Sequence, residues 1–195
     1  MTENGRLDAQ MAFLHEADAL KAVLRATKVG AGRYENSAEH SWHLALYALI
    51  LAGHAPVGVS VDRVIRMALI HDIVEIDAGD TPIFGVVDTT KQADDEARAA
   101  DRLFGLLPAE QARDLRALWD EFEAAETPDA QFAKALDRFT APNQNLLTEG
   151  GSWVDYDVTL ERLENRIAPP ITRSVPAFWS WLRPKAAAML ARIKK

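Results

Sequence analysis

Apolar residues along this chain recur mostly three and four positions apart, the spacing that gathers them on one face of a helix. Asp8 to Arg25 carries Met11, Leu14, Leu20, Val23 and Leu24 in such a stripe, and Gly30-Ala31-Gly32 interrupts it. Ser37 is placed to cap a second helix running through His40, Trp42, Leu44, Leu46, Leu49 and Ile50 to about Gly53. That helix is apolar nearly all round, so the centre of the fold is its expected place. Ser60 caps a third, Val61 to about Ile76, which Gly79-Asp80-Thr81-Pro82 ends. Further helices are expected over Lys91 to Phe104, with a charged outer face, and around Leu115, Leu118, Trp119 and Phe122. Another begins at Thr127-Pro128-Asp129, with proline in the first turn, and runs through Phe139. Two more are expected from Asp155 to Ile167 and from Val175 to Ile193, split by Pro169-Pro170. No period-two alternation persists long enough to predict a strand. The pattern predicts an all-α, single-domain bundle of about seven or eight helices, with a C-terminal helical extension over about 152–195.

Composition narrows the class. A chain of 195 residues fits one domain with a substantial core. Hydrophobic residues at 48% and charged residues at 26% are ordinary for a soluble protein. The absence of cysteine excludes disulfides, thiolate zinc sites and cysteine nucleophiles, and fits the expected cytoplasmic location. The N-terminus lacks the pattern of a signal peptide, and the longest apolar stretch, Leu44 to Ala52, falls short of the roughly 20 residues that span a bilayer. A net charge of −7 argues against long nucleic acid as a partner. It leaves room for a small phosphorylated ligand met by one or two arginines.

The chemistry concentrates in Met67-Ala-Leu-Ile-His71-Asp72-Ile-Val-Glu75 and the Gly79-Asp80 that follows. On a helix, His71 and Glu75 are four apart and Asp72 and Glu75 three apart, so all three share a face. Burying such a face is costly unless its charges are paired or bound to a cation. A His-Asp pair alone also fits a core histidine satisfied by a carboxylate, so the surroundings decide. His40 sits in a second apolar helix, and Asp137 lies between Leu136 and Phe139 in a third. Two imidazoles and two carboxylates suit a six-coordinate divalent ion such as manganese, cobalt, iron or nickel, with zinc or magnesium also compatible. A closed structural zinc site, usually built with sulfur, does not fit.

With these residues in view, the chain resembles the histidine–aspartate (HD) superfamily of metal-dependent phosphohydrolases. The match is closest to the branch holding bacterial 5′-deoxynucleotidases and the eukaryotic HD-domain-containing protein 2. The segments that carry it are Leu20-Lys-x-x-x-Arg25, Glu35-Asn36-x-x-Glu39-His40-Ser41-Trp42, and His71-Asp72-x-x-Glu75-x-x-x-Gly79-Asp80. Leu107-Pro108, Trp119-x-Glu121-Phe122-Glu123, Thr127-Pro128-x-Ala130-x-Phe132 and Leu136-Asp137 continue it in order, over residues 20 to 140 or so. The resemblance implies one divalent metal ion on His40, His71, Asp72 and Asp137, with Glu75 and Asp80 in catalysis and Arg25 on the phosphate. Arg33, ahead of the His40 helix, is a second candidate for the phosphate. The implied activity is hydrolysis of a small phosphorylated substrate by metal-activated water, a (deoxy)nucleoside 5′-monophosphate being the first choice. A triphosphate, cyclic nucleotide or sugar phosphate is the alternative, and a non-catalytic nucleotide- or partner-binding module is another. The resemblance also implies a homodimer. Two departures bear on the substrate: Ala26 stands where the deoxynucleotidases carry tryptophan, and Ile83-Phe84-Gly85 where they carry a lysine. His43, three positions from His40, is expected to pack or to support the site from outside.

Overall fold

In the computed structural model, which describes residues 2–193, helix α1 (Glu3–Ala17) is capped by the Thr2 hydroxyl and gives way to a tight turn over Asp18–Ala22. The stripe that predicts one helix as far as Arg25 therefore ends early. Leu24–Lys28 forms a strand, β1, paired antiparallel with β2 (Tyr34–Asn36) around the Gly30–Gly32 turn. Partners run Leu24 to Asn36 and Lys28 to Tyr34, with an irregularity between them. The hairpin corrects the expectation of helix alone. Its cause is tertiary: Thr27 and Glu35 are buried on it, and such contacts override the weak local preference of a five-residue segment.

The first central helix, α2 (Ser37–Ile50), starts from a capping box in which the Asn36 side chain accepts from the Glu39 amide and Glu39 reaches back to the Asn36 amide. Because this cap fixes the start of the helix that carries His40, Asn36→Ala is expected to cost about 1 kcal/mol of stability. Urea unfolding checks this; an unchanged midpoint would remove the cap from the account.

Helix α3 (Val61–Ile70) is capped by Ser60 and ends at Ile70, six residues before the expected end. From there the chain turns with bonds from residue i+3 to i, among them Ile73 to Ile70 and Glu75 to Asp72, until the four-residue α4 (Glu75–Ala78). This tighter winding brings i and i+3 over one another, so Asp72 and Glu75 stay on one side. Gly79 closes α4 at φ +76° and ψ 156°, a conformation open in practice to glycine alone, and swings Asp80 back toward β1.

The remaining helices are α5 (Thr89–Phe104), α6 (Ala109–Ala124), α7 (Pro128–Leu147), α8 (Ser152–Asp155), α9 (Leu160–Arg166), α10 (Ala168–Ser174) and α11 (Pro176–Ile193). Eleven α-helical segments among the described residues exceed the expected seven or eight. The surplus comes from the break after α3, from the short α8, and from Pro169-Pro170, which sit in the first turn of α10 instead of outside it. One core gathers Leu44, Met67, Phe122, Phe132 and Leu136 with Ile171, Phe178 and Leu182 from the C-terminal helices. A second, around Phe13, Ile73, Val74, Phe104 and Trp119, packs α1 and α5 against α6. Met67 and Ala68 belong to the first and Ile73 and Val74 to the second, so His71-Asp72 occupies the seam between them. Among the described residues no helix is long and apolar enough to cross a membrane.

Candidate metal centre

Three helices and a turn bring the expected donors together. His40 comes from the first turn of α2, His71 and Asp72 from the end of α3, and Asp137 from the middle of α7. Ligand atoms of His40, His71 and Asp72 all lie within 4.8 Å of one another. Asp137 Oδ1 stands 3.1 Å from His40 Nε2 and 4.0 Å from His71 Nε2, while Asp72 Oδ1 is 2.9 Å from His71 Nε2. Donors about 2.1 Å from a cation are about 3 Å apart when adjacent and about 4 Å when opposite, so these separations suit a common ion.

The protonation pattern fits as well. His71 Nδ1–H donates to the Ala68 carbonyl at 2.9 Å, which leaves the Nε2 lone pair for a ligand. That Nε2 is buried and makes no hydrogen bond, although a carboxylate oxygen lies beside it. An imidazole nitrogen and a carboxylate oxygen this close, with no well-formed hydrogen bond between them, suit a cation held by both. Burial opposes ionisation of Asp137, but the hydrogen bond from His40 and the charge of Arg138 outweigh it and hold the carboxyl well below the ordinary range. Burial and Arg25 likewise oppose a charge on His40, yet Asp137, Glu35 and Asp72 prevail and raise its pKa to about 9. A metal ion would take the place of that proton.

Arg25 sits in the middle of the acids. From β1 its Nη1 donates to Asp72 Oδ2 at 2.6 Å and lies 3.5 Å from both Glu75 Oε1 and Asp80 Oδ1, while Nε is 3.8 Å from Glu35 Oε2. That Nε is buried without a hydrogen-bond partner. Glu75 accepts from the Ser37 hydroxyl at 2.5 Å. Burial and the charge of Asp72 push its carboxyl up to about 9 against the pull of Arg25. A dication beside Asp72 would act in the opposite sense and favour the ionised form. Asp80 is also raised, chiefly by burial, and accepts from the Ala26 amide.

Not every candidate arrives. Arg33 stands outside the group, in a bidentate pair with Glu39 at 2.9 and 3.0 Å, and lines none of the cleft. His43 faces Tyr47 edge-on at 4.8 Å and lines a separate apolar groove with Ile50 and Trp181. Glu121 pairs with Arg63 and Glu123 with Lys134. Three residues near the centre carry no role in the sequence reading. Glu35, buried, lies 3.6 Å from His40 Nδ1, and Lys134 and Arg138 line the polar cleft of about 290 Å³ that opens over His71, Asp72 and Glu75. Lys134 was within reach of the pattern, since it precedes Asp137 by three positions and so shares its helix face.

A predominantly helical fold that brings two buried histidines and two aspartates together beside one polar cleft defines the class, a helical protein with a candidate metal site. The family model for the HD domain matches residues 17–179, and the chain belongs to that family. It is 29% identical over 128 residues to the 5′-deoxynucleotidase HDDC2 of Homo sapiens, covering 65% of this chain and 61% of that protein. The 5′-deoxynucleotidase hdd1 of Schizosaccharomyces pombe is 28% identical over 114 residues, 56% of each chain. The chain thus spans about three fifths of the length of the curated relatives it matches. A crystal structure of a predicted metal-dependent phosphohydrolase from Magnetospirillum magnetotacticum is 46% identical and superposes with a TM-score of 0.89, over 96% of this chain and 97% of the other.

Proposed function

We propose that this chain is a metal-dependent phosphomonoesterase for small phosphorylated molecules, deoxynucleoside 5′-monophosphates first among them. The observation that carries the reading is the meeting of two imidazoles and two carboxylates beside a buried arginine, with His71, both carboxylates and the arginine lining one polar cleft. The names of the relatives support the choice of substrate class. A divalent ion held by His40, His71, Asp72 and Asp137 would supply Lewis acidity, polarising the phosphoryl oxygen and acidifying water. Glu75, fixed by Ser37, takes the proton of the attacking water. Arg25, which lines the cleft, neutralises charge on the non-reacting phosphoryl oxygens. Asp80, anchored by the Ala26 amide, orients the water or the leaving oxygen. Assembly as a homodimer and a cytoplasmic location belong to the same proposal, the first implied by the resemblance and the second fitted by the cysteine-free composition.

One observation favours a second substrate. Ala26 lines a pocket of about 90 Å³ next to the cleft, and a side chain this small imposes little shape on a sugar. A phosphate-release screen decides between them, run with added manganese or cobalt across nucleoside monophosphates, triphosphates, cyclic nucleotides and sugar phosphates. Deoxynucleoside monophosphates are expected to turn over best, and only with metal. Faster turnover of another class would move the substrate assignment, and no release from any compound would overturn the enzyme reading.

A further inference from the structure

Between Gly79 and Asp88 the chain forms neither helix nor strand, yet its inner side chains wall the substrate region and its backbone is pinned from outside by α9. Arg162 Nη2 donates to the Phe84 carbonyl at 3.0 Å. Nη1 of the same guanidinium donates to the Tyr156 carbonyl at 2.6 Å and to that of Asp157 at 3.3 Å. Its carbon stands 5.0 Å from the centroid of the Phe84 ring. One turn later on the same helix face, Arg166 donates to the Ile83 carbonyl. Arg162 forms no ion pair with a carboxylate among the described residues. Its charge is directed at main-chain oxygens of two segments distant in sequence.

Both segments line one pocket. Phe84 and Tyr156 both line the 90 Å³ cavity, together with Ala26 and Trp153. This cavity shares Arg25, Asp80, Thr81, Asp137 and Arg138 with the metal cleft, so the two open into one another. A phosphoester whose phosphoryl group lies over the metal centre has this pocket as a place for the rest of its structure. Aromatic walls at Phe84, Trp153 and Tyr156 suit a flat ring.

Resting on the phosphomonoesterase reading, we propose that Arg162 is a positioning residue that sets the width of this pocket, and that the pocket receives the ring-bearing part of the substrate. The planar fork is what allows one side chain to hold two walls, a task a lysine ammonium cannot reproduce in the same geometry. Asp80 is held separately, by Arg25 and the Ala26 amide, so loosening the walls affects substrate binding more than the chemical step.

Two measurements on Arg162→Met and Arg162→Lys test this. Hydrogen exchange reports the clamp without requiring activity. Amides between Thr81 and Val87 are expected to exchange about tenfold faster in Arg162→Met and less so in Arg162→Lys, with α2 and α7 unchanged. Steady-state kinetics report the pocket. KM for a deoxynucleoside monophosphate is expected to rise about tenfold with kcat within about twofold, while KM for glycerol phosphate, which has no ring, stays put. Unchanged exchange in both variants overturns the clamp, and Arg162→Lys keeps that test open if the methionine variant does not fold. Faster exchange with an equal rise in KM for both esters overturns the assignment of the pocket to the ring. If the wild type releases phosphate from neither ester, the phosphomonoesterase reading fails while exchange still decides whether Arg162 holds the loop.

Discussion

Asp72→Asn is expected to lower metal-dependent phosphate release about a thousandfold and to weaken manganese binding, with the helical fold retained. Asparagine keeps the size of the side chain and removes only the charge. In the native chain that charge faces the unpartnered His71 Nε2 at 2.9 Å on one side and Arg25 at 2.6 Å on the other. On the proposed reading its loss removes an anionic ligand from a group of four, and metal-ion stabilisation of a phosphoryl transition state amounts to several kcal/mol, each 1.4 kcal/mol being about tenfold in rate. The fold survives because Arg25 still has Glu75, Asp80 and Glu35 within 4 Å. Calorimetric titration with manganese, phosphate release and circular dichroism read the three effects separately. Arg33→Ala, which breaks only an exposed pair with Glu39, is the matched control. Native-like turnover and manganese affinity in Asp72→Asn would remove this residue from the centre.

The donors of the centre were legible because each interrupts an apolar run: an ionisable side chain inside a core helix needs a partner, and four such interruptions point to a shared one. The helices carrying them were legible for the same reason, with Ser60 and Thr127-Pro128 marking two of the starts. The hairpin was not. Leu20, Val23 and Leu24 keep helical spacing, and nothing within that window announces that Arg25 will meet an aspartate 47 positions away. The break after Ile70 was hidden too, since Ile73 and Val74 continue the apolar run while feeding a different core. Arg25 and Arg33 both precede α2 in the sequence; only the fold separates the one buried among acids from the one tied to its own helix cap. Arg162 is invisible to any side-chain pattern because its partners are carbonyls.

Arg25→Met is expected to destabilise the metal-free protein by about 3 kcal/mol, and to do so far less once manganese is bound. Methionine preserves much of the buried stem while deleting the guanidinium that Asp72, Glu75, Asp80 and Glu35 all face. Without it, the ionised Asp72 is left among Glu75, Asp80 and Glu35 in a largely buried space, and removing one partner of a buried ion pair leaves uncompensated charge at a cost of about 3–5 kcal/mol. The acids answer to either positive charge. Burial opposes the charge on Arg25, yet Asp72, Asp80 and Glu75 raise its pKa still further. A dication on Asp72 and Asp137 serves the same acids, so manganese should raise the melting temperature of the variant by more than that of the wild type. On the proposed mechanism catalysis is not rescued in parallel, because the phosphoryl oxygens would lose their arginine, a loss of about a hundredfold or more in kcat/KM. Thermal unfolding in chelator and in manganese, beside kinetics in manganese, separates the two roles. An equal drop in melting temperature under both conditions would mean that Arg25 contributes packing alone, whereas recovered stability with lost turnover places one side chain at two tasks, neutralising the acids and gripping the phosphate.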